Sequence, residues 1–348
     1  MNAAMKSQML DVAVVLFDDG YASTAVMPIE VFHSAGALWR ELTGESPEPR
    51  FRVTTVSMDG KPVRSPYCGM SMTPASSIDA VTHADIVVVP TSGLALDEKL
   101  IENSALLPWL RMHHAAGAYL AGVCMGAAYL AETGLLDGRR ATTHWAVTAD
   151  LQRRYPKVDW RTDFILTEDN RLLCSGGVTA AADVSLYLVE KLCGHEVAVQ
   201  TAKSLLLSMP RTHQTGYAVL PLSPPHSDDA IRATEAYMQA HFAETLSNVM
   251  LAEIAGVSER TFLRRFRAAT GRVPASYLQA VRIEAAKAML EREAAPVQTV
   301  ASAVGYDDVS FFRTLFKRLT SMTPAEYRDT FASLSVRQTE RVELQKQA

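Results

Sequence analysis

Cysteine is scarce in this chain: Cys68, Cys124, Cys174 and Cys193 are the only four in 348 residues, and no two form a CxxC pair. Their spacing argues against a disulfide-stapled scaffold and a thiolate zinc site, and fits a reducing compartment. Long apolar runs are missing as well. Stretches such as 86–89 have strand length, far short of the roughly 20 residues that a membrane helix needs. The first ten residues lack an apolar signal core followed by a cleavage site, so a cytoplasmic location and no membrane partner are expected. With 48% hydrophobic and 21% charged residues, the chain is too apolar to be disordered. Its length leaves room for about two domains.

A net charge of −4 hides a division. Residues 1–228 carry 18 Lys and Arg against 24 Asp and Glu, whereas residues 229–348 carry 16 against 14. A surplus of two is an ordinary solvated surface by itself. Placement matters more. Arg260, Arg264, Arg265, Arg267 and Arg272 fall within thirteen residues, a local density of positive charge that a polyanion would feel.

Residues 10–207 alternate short β-branched runs with longer amphipathic stretches. The runs at 12–17, 51–56, 85–89 and 119–123 are continuous and apolar, as in strands buried on both faces of a mostly parallel sheet. Residues 26–42 and 97–115 are long enough for single crossover helices. This pattern predicts an α/β domain over 10–208, a flavodoxin-like sandwich. Residues 209–229 contain Pro210, Pro221, Pro224 and Pro225 with little periodicity and are assigned to a linker. Beyond Ala230 nearly every position reads as helix, with Pro274, Pro296 and Pro324 where helices can begin. An all-α domain over 230–332 is expected, then a polar tail at 333–348 that frays.

The second domain contains an internal repeat. Phe262, Phe266, Thr270, Pro274, Ala275 and Tyr277 recur 50 residues later as Phe312, Phe316, Thr320, Pro324, Ala325 and Tyr327. Each copy offers a short helix (250–255; 297–304), a glycine turn at Gly256 or Gly305, an N-cap at Ser258 or Asp308, and a second helix. Two helix-turn-helix motifs at about 248–269 and 296–319 follow. Phenylalanines four residues apart anchor one face inward and leave the other for a partner. On the first copy that outer face holds Glu259, Arg260, Thr261 and Arg264, and arginine forks can bind guanine edges or phosphate. On the second it holds Val309, Ser310, Arg313 and Thr314, which can contact thymine methyls and base edges. Arg265, Arg267, Lys317 and Arg318 are assigned to the DNA backbone. The intervening 275–292 reads as an amphipathic helix of about 27 Å, a spacer suited to two reading helices about one duplex turn apart.

With AEIAGVSERTFLRRF, VASAVGYDDVSFFRTLFKR and TPAEYR, residues 230–330 resemble the DNA-binding domain of AraC/XylS-family transcription regulators. The resemblance implies a tandem helix-turn-helix arrangement that binds double-stranded promoter DNA.

In the first domain, Ala121-Gly122-Val123-Cys124-Met125-Gly126 follows a strand and opens a helix. Small neighbours allow a sharp turn that presents the sulfur beside helix amides. His144 lies twenty residues on and is a candidate base. With Pro90-Thr91-Ser92-Gly93, these residues resemble the class I glutamine amidotransferase-like superfamily, in particular its PfpI-type branch, over about 10–195. Two departures stand out. PfpI-type proteases follow the cysteine with His, where this chain has Met125, and the related redox-sensing branch has a Glu where this chain has Thr24. The expectation is therefore a small-ligand pocket of Thr24, Ser92, Gly93, Cys124, Met125, His144 and Gly176, with no catalysis. His113-His114 lacks the i, i+4 spacing of a metal pair, and neither metal nor cofactor is expected.

An amidotransferase-like domain followed by an AraC-type domain resembles the GlxA-type regulators. The resemblance implies a first domain that senses metabolites and dimerises. The combined expectation is a sequence-specific, nucleoid-associated regulator. It would act as an activator, answer to a small-molecule effector, engage RNA polymerase and pair as a homodimer through the first domain. Two alternatives stay open: a cysteine-dependent amidase or hydrolase fused to a DNA module, and a redox sensor built on Cys124.

Overall fold

The computed structural model describes residues 9–67, 69–209, 211–218, 223–224 and 226–332; the tail expected at 333–348 lies outside the described residues. Contacts divide the chain into two compact units, Met1–Gln214 and Thr215–Ala348.

The first unit is α/β. Its strands are β1 (Leu10–Val15), β2 (Phe51–Ser57), β3 (Val63–Arg64), β4 (Ser71–Met72), β5 (Ser76–Ser77), β6 (Ile86–Val89), β7 (Tyr119–Val123), β8 (Arg140–Ala141), β9 (Asp159–Trp160), β10 (Leu166–Asp169) and β11 (Leu172–Ser175). Seven of them form one sheet in the order β10, β11, β7, β6, β1, β2, β5. Every pairing in it is parallel except β10 with β11. The helices are α1 (Ser23–Ser34), α2 (Leu38–Leu42), α3 (Leu96–Glu102), α4 (Leu106–Ala115), α5 (Gly126–Glu132), α6 (Thr148–Arg154), α7 (Ala180–Cys193) and α8 (His195–Ser204).

Strand alternation divides the core into two layers. Val12, Val14 and Leu16 join α1, α7 and α8 on one face, while Ala13, Val15 and Phe17 join α4 and α5 on the other. Each fully buried Val or Leu contributes about 1.5–3 kcal/mol. The stretch expected as one helix over 26–42 is broken between α1 and α2, because Gly36 adopts φ +76° and a Cβ there would meet Glu48 O at 2.3 Å. The stretch at 97–115 is likewise two helices: Asn103 closes α3 by donating from its side chain to Lys99 O (2.8 Å).

The carboxyl ends of β6, β7 and β11 deliver Pro90–Gly93, Cys124 and Gly176–Gly177 to one edge of the sheet, where parallel α/β sheets bind ligands. Part of the segment assigned to the linker is fixed on this unit. Arg211 pairs with the buried Asp183 (2.6 Å), and the side-chain amide of Gln214 donates to Thr142 Oγ1, Thr143 O and Phe164 O (3.2, 2.8 and 3.0 Å).

The second unit is all-α: α9 (Asp229–Ala240), α10 (Asn248–Ile254), α11 (Glu259–Thr270), α12 (Pro274–Arg292), α13 (Val297–Ala303), α14 (Val309–Thr320) and α15 (Pro324–Phe331). Helix α12 is not the one-faced amphipathic spacer expected. Tyr277 and Val281 enter a core with Phe262 and Phe266, while Ile283, Ala286 and Leu290 enter a second core with Phe312, Phe316 and Tyr327. One helix thus serves both motifs. The residues that precede α9 pack on this unit too: Lys287 donates to Ala218 O (2.6 Å) and Thr215 to Ser321 Oγ (2.8 Å). Among the described residues, no helix is long and apolar enough to cross a membrane.

Candidate functional site

The repeat in sequence is a repeat in geometry. Gly256 and Gly305 turn with φ +66° and +83°, and Phe262, Phe266, Phe312 and Phe316 are fully buried. Thr270 and Thr320 close their helices alike, donating to Phe266 O and Phe316 O (2.7 and 2.8 Å). Their hydroxyls also accept the amides of Arg272 and Met322, each at 3.2 Å. The caps differ. Asp308 Oδ1 accepts the amides of Ser310 and Phe311 (2.8 and 3.1 Å), but Ser258 caps no amide through its side chain. It donates instead to Thr261 Oγ1 (3.0 Å).

The expected reading residues fall on one solvent-facing side of each second helix. Ser258, Glu259, Arg260, Arg264 and Arg267 are exposed and Thr261 is half-buried on α11 and its cap; Ser310, Arg313, Thr314, Lys317 and Arg318 are exposed and Val309 is half-buried on α14. Arg265 departs from its assignment to the DNA backbone. Its Nε and Nη2 are both held by Asp228 (2.9 and 2.6 Å), and the guanidinium keeps that carboxyl below the usual range. Arg265 therefore ties α11 to the cap of α9.

Sequence reading missed Arg282. Its guanidinium donates to three carbonyls, Phe242 O, Gly305 O and Glu244 O (2.7, 2.9 and 2.9 Å), and lies 5.0 Å from the centre of the Tyr306 ring. The side chain clasps the α9–α10 connection to the second glycine turn. A single half-buried arginine on α12 gave no periodic signal of this.

In the first unit, Cys124 adopts φ +55° between β7 and α5, as the small-residue motif predicts. The neighbours are small of necessity: a Cβ on Gly126 would meet Val89 O at 1.9 Å, and one on Gly122 would meet Ala127 Cα at 2.8 Å. Cys124 is only 7% exposed. Burial pushes its thiol up to about 11, with hydrogen bonds from the Met125 amide and the Thr91 side chain opposing the rise.

Thr143 donates to Cys124 O (2.9 Å), which sets the following His144 beside the elbow backbone. Yet among the described residues no hydrogen bond joins Cys124 to His144, and no carboxylate orients the ring. His144 Nδ1 accepts the Ala146 amide (3.1 Å). The neutral ring consequently carries its proton on Nε2 and has no second free acceptor. Burial lowers the pKa of His144, so the ring is neutral at physiological pH. A thiol held protonated and an imidazole with its acceptor in use do not make a nucleophile and base.

The rest of the expected pocket is divided. Thr24 is buried, donating to Tyr21 O (2.6 Å) and accepting the Thr91 amide (3.3 Å). Ser92 is fully buried and accepts from Tyr129 (2.8 Å). Gly93 turns with φ +101° against Asp19 O. Gly176 lies against the Gln214 carboxamide, and Gly177 against the His144 ring. A cleft of about 720 Å³ has Met125 in its lining together with Leu94, Leu96, Val147, Leu151 and the charged Asp97, Glu98, Asp150, Arg153 and Arg154. Of the seven expected ligand residues, only Met125 lines it. Arg154 and Arg153 are paired with Asp97 and Asp150, and with Glu98 the charged lining holds three acids against two arginines. Elsewhere, Asp11, His83 and Asp85 bring ligand atoms within 4.8 Å of one another, but Asp85 accepts the Asp11 amide (2.8 Å) and Asp11 pairs with Arg52 (3.5 Å).

Comparison with known proteins matches residues 11–191 to the DJ-1/PfpI family. The chain belongs to that family. A helix-turn-helix domain model matches residues 251–330, so this member of the DJ-1/PfpI family carries a second module of another kind. The HTH-type transcriptional regulator CdhR of Pseudomonas aeruginosa is 28% identical over 286 residues, covering 80% of this chain and 82% of that protein. The HTH-type transcriptional regulator GlxA of Rhizobium meliloti is 28% identical over 230 residues, 65% of this chain and 70% of that one. Both relatives match beyond the DJ-1/PfpI region alone. A crystal structure from Vibrio parahaemolyticus overlays with a TM-score of 0.51 at 20% identity, covering 58% of this chain and all of that one. At that identity the likeness is one of fold.

Proposed function

We propose that the chain is a sequence-specific transcription regulator whose second unit reads promoter DNA and whose first unit answers to a small molecule. The observation that carries this reading is the pair of glycine-cornered motifs, alike in turn, buried aromatics and helix closure, each with an outer helix face free of packing. Two regulators at 28% identity, one matched over 80% of this chain, support it. The reading residues are those of α11 and α14 without Arg265. Arg260 and Arg264 read guanine edges, while Arg267, Lys317 and Arg318 hold phosphates.

The effector site is the cleft lined by Met125 and Val147. Its occupant is a small metabolite with an apolar body and a polar end, since Leu94, Ala95, Leu96, Met125, Val147 and Leu151 share the wall with five charged residues. No turnover accompanies binding, because the thiol is held protonated and His144 is tied to Ala146. The same protonated thiol argues against the redox alternative. Homodimerisation through the first unit, contact with RNA polymerase, activation as the sign of regulation and action at the nucleoid within the cytoplasm complete the proposal.

Selection of duplexes from a random library by the full chain tests it. Two half-sites about 10 base pairs apart are expected. Recovery of unrelated duplexes would reduce the second unit to a non-specific polycation, and a thermal-shift screen of metabolites with no stabilising hit would remove the effector role.

A further inference from the structure

The two outer helices differ in chemistry although they share one backbone. At the 50-residue offset, Arg260, Thr261 and Arg264 of α11 become Ser310, Phe311 and Thr314 of α14. Charge at the reading end is replaced by an aromatic ring and two hydroxyls.

Phe311 is the unexplained member of that set. It is 48% exposed, while its neighbours Phe312, Leu315 and Phe316 are buried in the core. Its ring centre lies 5.8 Å from that of Tyr306, the two planes tilted by 48°. The fold does not need a phenylalanine at this position, and water disfavours one there. Thr314 adds to the apolar character. Its hydroxyl donates to Ser310 O (3.0 Å), which commits that proton within the helix. What remains at the start of α14 for a partner is the Phe311 ring, the Thr314 methyl, the Ser310 hydroxyl and the half-buried Val309, with Arg313 one turn on. In a major groove the base feature that suits apolar groups is the C5 methyl of thymine, for which phenylalanine and the threonine methyl are established partners.

We infer that Phe311 is a specificity-determining residue that reads a thymine methyl. The inference rests on the DNA-binding reading above and divides the labour between the motifs: α11 reads guanine through arginine, and α14 reads thymine through apolar contact. Arg313 and Lys317 anchor the helix without specifying that base.

The experiment uses the full chain and the duplex it selects from a random library. Arg264→Ala identifies the half-site of α11 by loss of its guanine preference, which assigns the other half to α14. Each thymine of that second half is then replaced singly by uracil, which removes one methyl and keeps every hydrogen-bonding edge. At one position affinity should fall about fourfold, the value of one buried methyl group. Uracil in the α11 half should have no effect. Phe311→Ala should bind the thymine and uracil duplexes equally, and because Phe311 is half exposed this variant keeps its fold. A second half-site without thymine, or one whose uracil versions bind unchanged, overturns the inference and leaves DNA recognition standing. Loss of transcription in Phe311→Ala with DNA affinity and thymine preference intact would assign the ring to a protein partner and overturn it equally. Selection of no common sequence would overturn the DNA-binding reading, and this inference with it.

Discussion

At the scale of single residues, burial and hydrogen bonding decide which suggestive side chains can act. Cys124 has the backbone of a nucleophile and the environment of a core residue. Desolvation disfavours the thiolate, which raises the pKa to about 11, so the group is a thiol below that pH and gains reactivity only as pH rises through it. At pH 8 about one molecule in a thousand carries the thiolate. Iodoacetamide labelling of Cys124, followed by peptide mass mapping, should therefore be about a hundredfold slower in the native chain at pH 8 than in the unfolded chain, and should accelerate toward pH 11. Fast labelling at pH 7 would return cysteine chemistry to contention. Arg265 gives the complementary case. The sequence places it among DNA-facing arginines, but Asp228 occupies it. Arg265→Ala should lower Tm and leave the salt dependence of DNA binding unchanged. Arg267→Ala should leave Tm unchanged and reduce the salt slope by about 1. The Asp228 carboxyl is held low, so its part in stability is present at neutral pH and is lost as acid takes the pH through that lowered range.

At the scale of elements, much of the fold was legible because local signals and tertiary demands agree. The buried strands β1, β2, β6 and β7 stand close to their apolar runs. The two helix-turn-helix motifs stand where glycine, cap and paired phenylalanines placed them. What escaped was decided by distant contacts. The break at Gly36 is required by the return of Glu48, and β10 exists because β11 offers it an antiparallel partner. The expected pocket meets the same limit. Ser92, from the 90–93 strand end, and Thr24, placed by the family resemblance, use their hydroxyls inside the core, while the Leu94–Leu151 wall comes from loops and helices with no shared motif. The two glycine turns separate backbone preference from tertiary fit. A Cβ at Gly256 meets nothing within 4 Å, whereas one at Gly305 would meet Ala243 O at 2.5 Å and the Arg282 guanidinium at 2.9 Å. Gly256→Ala should cost about 1–2 kcal/mol, the left-handed penalty alone. Gly305→Ala should cost about 1–3 kcal/mol more, as measured by urea unfolding. Equal costs would show that the Arg282 clasp yields without penalty.

At the scale of the whole molecule, regulation requires that the first unit report its state along the chain to the second. Gln214, the last residue of the first unit, is held by Thr142 and Thr143, and the 142–147 segment leads to Val147 in the cleft. Thr215, the next residue, is held within the second unit by Ser321, directly after α14. A ligand matters only if it prefers one arrangement of this path. Gln214→Ala should keep the DNA affinity of the ligand-free chain and the thermal shift produced by an effector, but lose most of the effector-induced change in affinity. Retention of that change would move the coupling elsewhere. Whether α11 and α14 read bases is decided by comparing Arg264→Ala with the unaltered chain on selected and random duplexes at fixed salt. A loss of about 1–3 kcal/mol on the selected duplex and little on random DNA is expected. An equal loss on both would make Arg264 a phosphate contact and contradict the assignment of α11 as a reading helix.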